Sequence, residues 1–207
     1  MTQTLIIVES PGKARTVGRI ARQYFQARNE HGQVWVSACF GHIRDLAGDS
    51  LQVDIAHGFK PLYTIKSASV VGKLRQAIRQ ADRVILACDP DREGEAIAWH
   101  IWQVFKDDLQ GKTFHRCTFA AITPQAIEAG LQKPRSLNIP LVQAAIARRV
   151  VDRLIGFWAS PRLWQAVAGR NLSAGRVQTA ALRLLIEEVD RRAAARTPET
   201  WTVEIGW

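Results

Sequence analysis

The sequence predicts an α/β fold: a mostly parallel, four-stranded sheet with helices on both faces, followed by a mainly helical segment. Three observations predict it. Short apolar runs alternate with helix-period patterns, the order that winds a parallel sheet between two layers of helices. Two of these runs, Leu5-Ile6-Ile7-Val8 and Val84-Ile85-Leu86-Ala87-Cys88, are apolar without alternation, as strands buried on both faces are. After Lys133-Pro134-Arg135-Ser136 the composition shifts and the patterns become helical.

The first run ends in Glu9. Ser10 suits a helix N-cap and Pro11 the first helical position, opening a helix to about Tyr24. Residues 34–40 read as a strand, followed by Gly41-His42-Ile43-Arg44-Asp45-Leu46. Residues 47–67 show no clear period and contain Gly58 and Pro61, so they read as a loop or insertion. Val70, Val71, Leu74, Ala77 and Ile78 have the spacing of one helix face. The 84–88 strand comes next, and Pro90, which cannot donate to a ladder, ends it. A helix over 94–105 offers Ala96, Ile97, Ile101, Trp102 and Phe105 for packing. Residues 113–121 are a fourth strand, and Thr123-Pro124 opens a helix to about Leu131. Helices then cover 141–155, 161–167 and 175–192, and 200–206 alternate like a strand. That last strand has no later partner, so it pairs with something earlier or the chain is part of a longer one.

The chain carries 28 Lys+Arg against 19 Asp+Glu, a net charge of +9 that favours polyanionic partners, above all nucleic acid. No apolar stretch approaches membrane-spanning length and no secretory leader opens the chain, so a cytoplasmic protein with no membrane partner is expected. Cys39, Cys88 and Cys117 lie in separate apolar stretches with no CxxC, which points to buried reduced thiols. A P-loop nucleotide site is excluded. Ala14 follows Gly12-Lys13 where Ser or Thr is needed, and Lys106 stands where Gly111-Lys112-Thr113 requires the first glycine.

The chemistry concentrates in Asp89-Pro90-Asp91-Arg92-Glu93. In an extended chain Asp89 and Asp91 project to one side. Three carboxylates over five residues repel one another unless a cation sits among them, and a hard divalent ion, Mg²⁺, suits oxygen ligands. Ligands of parallel sheets bind beyond the carboxyl ends of the strands. If the strands ending in Glu9 and Asp89 are neighbours, Glu9, Asp89, Asp91 and Glu93 converge. Glu9 then serves proton transfer or metal ligation, and Lys13, near a helix N-terminus, contacts phosphate or is simply exposed. Arg92 screens the acids, contacts a phosphodiester or salt-bridges its neighbours. Glu95, one helical step further, is expected at the surface. His42, after Gly41, is placed to contact a phosphate. Arg148 and Asp152 share a helix face, with Arg149 and Arg153 beside them. Phe157, Trp158 and Trp164 follow, and aromatics among arginines suit single-stranded nucleic acid; ion pairing and helix packing are the plainer uses. Ser173-Ala174-Gly175-Arg176-Val177-Gln178 opens a helix whose amides either hold a phosphate or form a capping turn.

Taken together, these stretches resemble the type IA DNA topoisomerases. The matching pieces are Ile7-Val8-Glu9-Ser10-Pro11-Gly12-Lys13-Ala14, Gly41-His42-Ile43-Arg44-Asp45-Leu46, and Asp89 to His100 in sequence. Ala147 to Arg153, Ser160-Pro161 with Leu163-Trp164, and Leu172 to Gln178 complete six motifs in the family's order. The resemblance implies a Rossmann-like Toprim domain over 1–135 and part of a helical domain that grips single-stranded DNA over 136–207. It implies Glu9, Lys13, Asp89, Asp91, Arg92 and Glu93 as the cleavage centre, with Mg²⁺ on Glu9, Asp89, Asp91 and Glu93. His42, Arg148, Arg149, Asp152, Phe157, Trp164, Ser173, Ala174, Gly175, Arg176, Val177 and Gln178 match positions that touch DNA; at Phe157 the family often has tyrosine. The implied activity is relaxation of negatively supercoiled DNA by cleavage, strand passage and religation through a phosphotyrosine link, in a cytoplasmic, nucleoid-associated enzyme. The family's attacking tyrosine lies in a further domain, beyond residue 207, which makes that portion an expected partner and this chain inactive alone. Tyr24 and Tyr63 lack the family's surrounding motif. The competing readings are a stand-alone Toprim nuclease or primase-like protein, against which 141–178 argue, and a single-stranded-DNA-binding module.

Overall fold

The computed structural model describes residues 1–30, 32–48, 50–167, 172–195 and 201–206. In chain order the elements begin β1 (Thr4–Val8), α1 (Pro11–Ala27), β2 (Val34–Ala38), β3 (Arg44–Leu46), β4 (Val53–Asp54), β5 (Lys60–Pro61) and β6 (Tyr63–Ile65). They continue α2 (Ala68–Gln80), β7 (Arg83–Leu86), α3 (Arg92–Phe105), β8 (Thr113–Arg116), α4 (Pro124–Gln132), α5 (Ile139–Val167) and α6 (Arg176–Ala194). Two compact units result, Met1–Val151 and Asp152–Trp207.

The first unit is built on one parallel sheet of order β2-β1-β7-β8. The unalternating run of β1 has a direct explanation. Leu5 and Ile7 face a core with Leu74 and Ile78 of α2 and Ile97 and Ile101 of α3. Ile6 and Val8 face the opposite core, with Val17 and Ile20 of α1 and Ile127 of α4. Successive strand residues thus feed two cores, so every position must be apolar. The register sets Ile7 beside Leu86 of β7, so the carboxyl ends of these strands lie together.

Several sequence expectations need correction. Residues 47–67 are more than a loop: β3 pairs with β6 and β4 with β5, both antiparallel. Strands of two or three residues are too short to show a period. The strand over 84–88 ends at Leu86, that over 34–40 at Ala38 and that over 113–121 at Arg116. The helices over 141–155 and 161–167 are one helix, α5, with Pro161 inside it. A proline costs a helix one hydrogen bond, and this helix tolerates the loss. Trp201 to Gly206 form no strand, and Thr200 lies outside the described residues. In the second unit, α6 buries none of its residues, leaving Leu182, Leu184, Leu185, Ile186 and Val189 exposed. Among the described residues no helix is long and apolar enough to cross a membrane.

Candidate acidic centre and nucleic-acid contacts

Because β1 and β7 are parallel neighbours, the residues just beyond them meet. Glu9 Oε1 accepts the Asp89 backbone N–H at 2.8 Å. Lys13, in the first turn of α1, donates from Nζ to Asp89 Oδ1. Burial lowers the Lys13 pKa, but the Asp89 and Glu9 carboxylates more than offset it and hold it above its ordinary value. Pro11 stands at the expected first helical position, although the Ser10 side chain makes no capping hydrogen bond.

Gly94 is what allows this approach. A Cβ there would lie 2.3 Å from Asp89 O, 2.7 Å from Asp89 N and 2.8 Å from Glu9 Oε1.

The acids lie beyond the strand rather than on it. The strand has already ended, and Asp91 is the N-cap of α3, its Oδ1 accepting the Gly94 N–H at 2.7 Å. Glu93 Oε1 lies 2.9 Å from His42 Nε2. Arg92 is exposed and makes no ion pair among the described residues. Among the described residues no three His, Cys, Asp or Glu side chains stand close enough to enclose a metal. Mg²⁺ does not require such a cage: it keeps several waters and takes one or two carboxylates together with phosphate oxygens. Asp89 and Asp91 on the loop and Glu93 in the first turn of α3 offer that all-oxygen donor set, so their chemistry fits the ion.

Glu95 corrects the sequence expectation most sharply. It is fully buried, not on the surface. Its Oε2 takes Arg116 Nε at 3.2 Å and Arg135 Nη2 at 2.8 Å, and its Oε1 takes the Asn138 N–H at 2.7 Å. Burial pushes its pKa up; Arg135, the Asn138 amide and Arg116 outweigh this and hold it below the usual carboxylate value. Arg116, at the end of β8, is also fully buried and was not singled out from sequence. Its Nη1 donates to Leu86 O at 3.0 Å, to Cys88 O at 2.7 Å and to Cys117 O, and its Nη2 to Asp89 O at 2.7 Å. The available signal for Glu95 was helical phase. It shares a face with Ala98 and Trp102, at the edge of the apolar stripe of α3.

A second cluster stands behind His42. The Arg44 guanidinium lies 4.8 Å from the Tyr63 ring and 4.9 Å from the Trp99 ring, and its Nε donates to His100 Nδ1 at 2.5 Å. Burial, then the Arg44 and His42 charges, push the His100 pKa down to about 3, so the ring is neutral and can accept. The His42 and His100 rings meet edge to face at 5.2 Å. Cys39, Cys88 and Cys117 are free and buried, and burial raises Cys117 to about 11.

The expected DNA-contacting residues divide between the units. In the first, Arg149 of α5 grips Asp45 with both arms, Nε to Oδ1 at 2.9 Å and Nη2 to Oδ2 at 2.8 Å. Arg148, on the same helix, is exposed. In the second, Arg176 Nε donates to Asp152 Oδ1 at 2.9 Å, and Phe157 and Trp164 are exposed. Trp164 Nε1 donates to Leu172 O. The Ala174 N–H goes to Ser160 Oγ at 3.1 Å, the Gly175 N–H to Thr179 Oγ1 at 3.3 Å, and Gln178 Nε2 to Ser173 O at 2.8 Å. Two amides expected at a phosphate thus have protein acceptors here. Val177 remains exposed.

Two family models match this chain: a Toprim domain over residues 4–122 and a DNA topoisomerase over residues 136–206. The chain belongs to the Toprim family, on its type IA DNA topoisomerase branch. The DNA topoisomerase 1 of Xylella fastidiosa is 42% identical over 207 residues, covering 98% of this chain and 24% of that protein. The DNA topoisomerase 1 of Streptomyces coelicolor is 42% identical over 213 residues, covering 95% of this chain and 21% of that protein. Full-length topoisomerase I from Thermotoga maritima matches in structure with a TM-score of 0.72 and 36% identity, over 93% of this chain and 31% of that one. The chain thus spans about a quarter of the length of the curated relatives it matches. As in the Toprim reading of its sequence, the four-stranded parallel sheet carries helices on both faces. Both tyrosines of this type IA sequence have structural employment: Tyr24 is buried in α1, and Tyr63 packs against Arg44, Trp99 and His100.

Proposed function

We propose that this chain is the N-terminal, Mg²⁺-dependent part of a type IA DNA topoisomerase that relaxes negatively supercoiled DNA in the cytoplasm, at the nucleoid. Residues 1–135 would be its Toprim domain and 136–207 part of its single-strand-gripping domain, a division supported by the two family matches. The observation that carries the reading is the meeting of Glu9, Lys13 and Asp89 beyond the ends of β1 and β7. A tyrosine from outside these residues attacks a backbone phosphorus. The tyrosine oxygen–phosphorus bond forms, the phosphorus–deoxyribose oxygen bond breaks, and reversal of both steps religates the strand. Glu9 holds the proton passed to the leaving oxygen and takes it back on religation, while Lys13 offsets charge on the phosphate oxygens. Bound Mg²⁺ would anchor phosphate to Asp89, Asp91 and Glu93. Arg92 faces the same phosphates. His42, Arg148, Arg149, Asp152, Phe157, Trp164 and the turn from Ser173 through Ala174, Gly175, Arg176 and Val177 to Gln178 would line the strand.

The test is single-stranded oligonucleotide binding and plasmid relaxation with Mg²⁺. The chain should bind oligonucleotide in a salt-sensitive way and leave supercoiled plasmid unrelaxed. Relaxation by these 207 residues would overturn the placement of the nucleophile elsewhere, and salt-indifferent binding would overturn the phosphate contacts.

A further inference from the structure

We propose that Glu95, acting through Arg116, is the positioning residue of the acidic centre, setting the loop that carries Asp89 and Asp91 and leads into the first turn of α3 with Glu93. The inference rests on the Mg²⁺ reading above and assigns a role to a pair that never touches metal or DNA in it. The geometry is a chain of fixed contacts. Asn138 N–H and the Arg135 guanidinium hold Glu95, with Oε1 at 2.7 Å from Asn138 N and Oε2 at 2.8 Å from Arg135 Nη2. Glu95 in turn receives Arg116 Nε at 3.2 Å, which orients the planar guanidinium. The other arms of Arg116 take the carbonyls of Leu86, Cys88 and Asp89, the backbone leading from β7 into the acidic loop.

The Cys88 and Asp89 carbonyls lie past the last ladder pair of the strand, Leu86 with Arg116, where the sheet no longer dictates their direction. A fully buried ion pair is a poor device for stability, because desolvation of both charges cancels most of its attraction. It is a good device for direction. A guanidinium locked by one carboxylate has its remaining donors aimed in a fixed plane, and the backbone oxygens must meet them there. Glu95 and Arg116 come from α3 and β8, two elements that both follow the loop in sequence, so the loop is set by a helix and a strand made after it.

The experiment titrates Mg²⁺ alone into the 207-residue chain, followed by calorimetry and by intrinsic tryptophan fluorescence. The variants are Glu95→Gln, Arg116→Lys, Asp89→Asn, and Asp107→Asn as a charge-matched control at the far end of α3. Glu95→Gln keeps the volume and an acceptor for Asn138 but not the charge that orients Arg116. Arg116→Lys keeps the charge but not the fork. Circular dichroism in metal-free buffer reports folding separately. Both variants should fold like wild type yet need at least about tenfold more Mg²⁺ for half-saturation, while Asp107→Asn stays within about twofold. Whichever of the two folds decides the matter, and a wild-type midpoint in a folded variant overturns the proposal. If both unfold without metal, the pair is structural only and the proposal is likewise overturned. If wild-type chain shows no saturable Mg²⁺ binding, or Asp89→Asn binds as well as wild type, the metal reading itself has failed and the positioning role falls with it.

Discussion

Gly94 bears the tightest approach in the site. A Cβ there meets the Asp89 backbone at 2.3 and 2.7 Å, atoms that cannot swing aside. Gly94→Ala should therefore destabilise the first unit by about 2–3 kcal/mol, read as a lower denaturation midpoint in urea. His100 gives a pH dependence with a definite sign. Its folded pKa is held near 3, against an ordinary 6.5, because the buried ring sits beside Arg44. Below pH 6.5 the unfolded chain takes up a proton that the folded chain refuses. Stability is thus full above 6.5 and is lost as pH falls toward 3, by up to about 1.4 kcal/mol per pH unit. Urea denaturation at several pH values should show this slope. His100→Gln, which keeps an acceptor for Arg44 and has no proton to gain, should flatten it; an equal slope in both would show another group responsible. At this scale Glu9 and Asp89 were legible because they end apolar runs, and Lys13 because it stands in the first turn of the helix that follows one. Glu95 and Arg116 were not, since a buried charge reads as an exposed one until its partner is known, and Arg116 comes from a different strand.

α3 shows how one residue can serve an element and a site at once. Asp91 caps the helix through Gly94 N–H and carries a charge that the proposed Mg²⁺ site would use. The two roles separate chemically. Asp91→Asn keeps a capping oxygen, so thermal stability should hold while Mg²⁺ binding weakens. Asp91→Ala loses the cap as well and should cost a further ~1 kcal/mol, measured by thermal unfolding without metal. A capping loss in the Asn variant equal to that in Ala would contradict this division. The regular elements were readable because each has a period or a stop signal, as with Thr123 and Pro124 at α4, where Thr123 Oγ1 accepts the Ala126 N–H at 3.3 Å. The two small antiparallel pairs between β3 and β6 were not readable. Their turns rest on left-handed residues, Gln52 (φ 53°), Gly58 (φ 73°) and Phe59 (φ 60°), of which only the glycine advertises itself in sequence. Pro161 misled in the other direction: it marks a break that the continuous backbone of α5 does not make.

For the whole molecule, the net charge of +9 makes binding to any polyanion salt-dependent. Each phosphate neutralised on a single strand should contribute about −0.7 to the slope of log affinity against log salt. Fluorescence anisotropy with a labelled oligonucleotide should give a smaller slope for Arg149→Ala by about one such contact, at every base sequence tried.

Three of the cations are already engaged. Lys13 faces Asp89, Arg149 is clasped by Asp45 and Arg176 by Asp152. On the proposed function, an arriving strand would meet an ion exchanger loaded in advance, and a phosphate at one of these positions would have to displace a resident carboxylate to gain its place. The net gain at each position is the difference between two similar attractions. Grip would therefore be weaker than a tally of basic residues suggests, and letting go, with the carboxylate waiting to return, correspondingly quick.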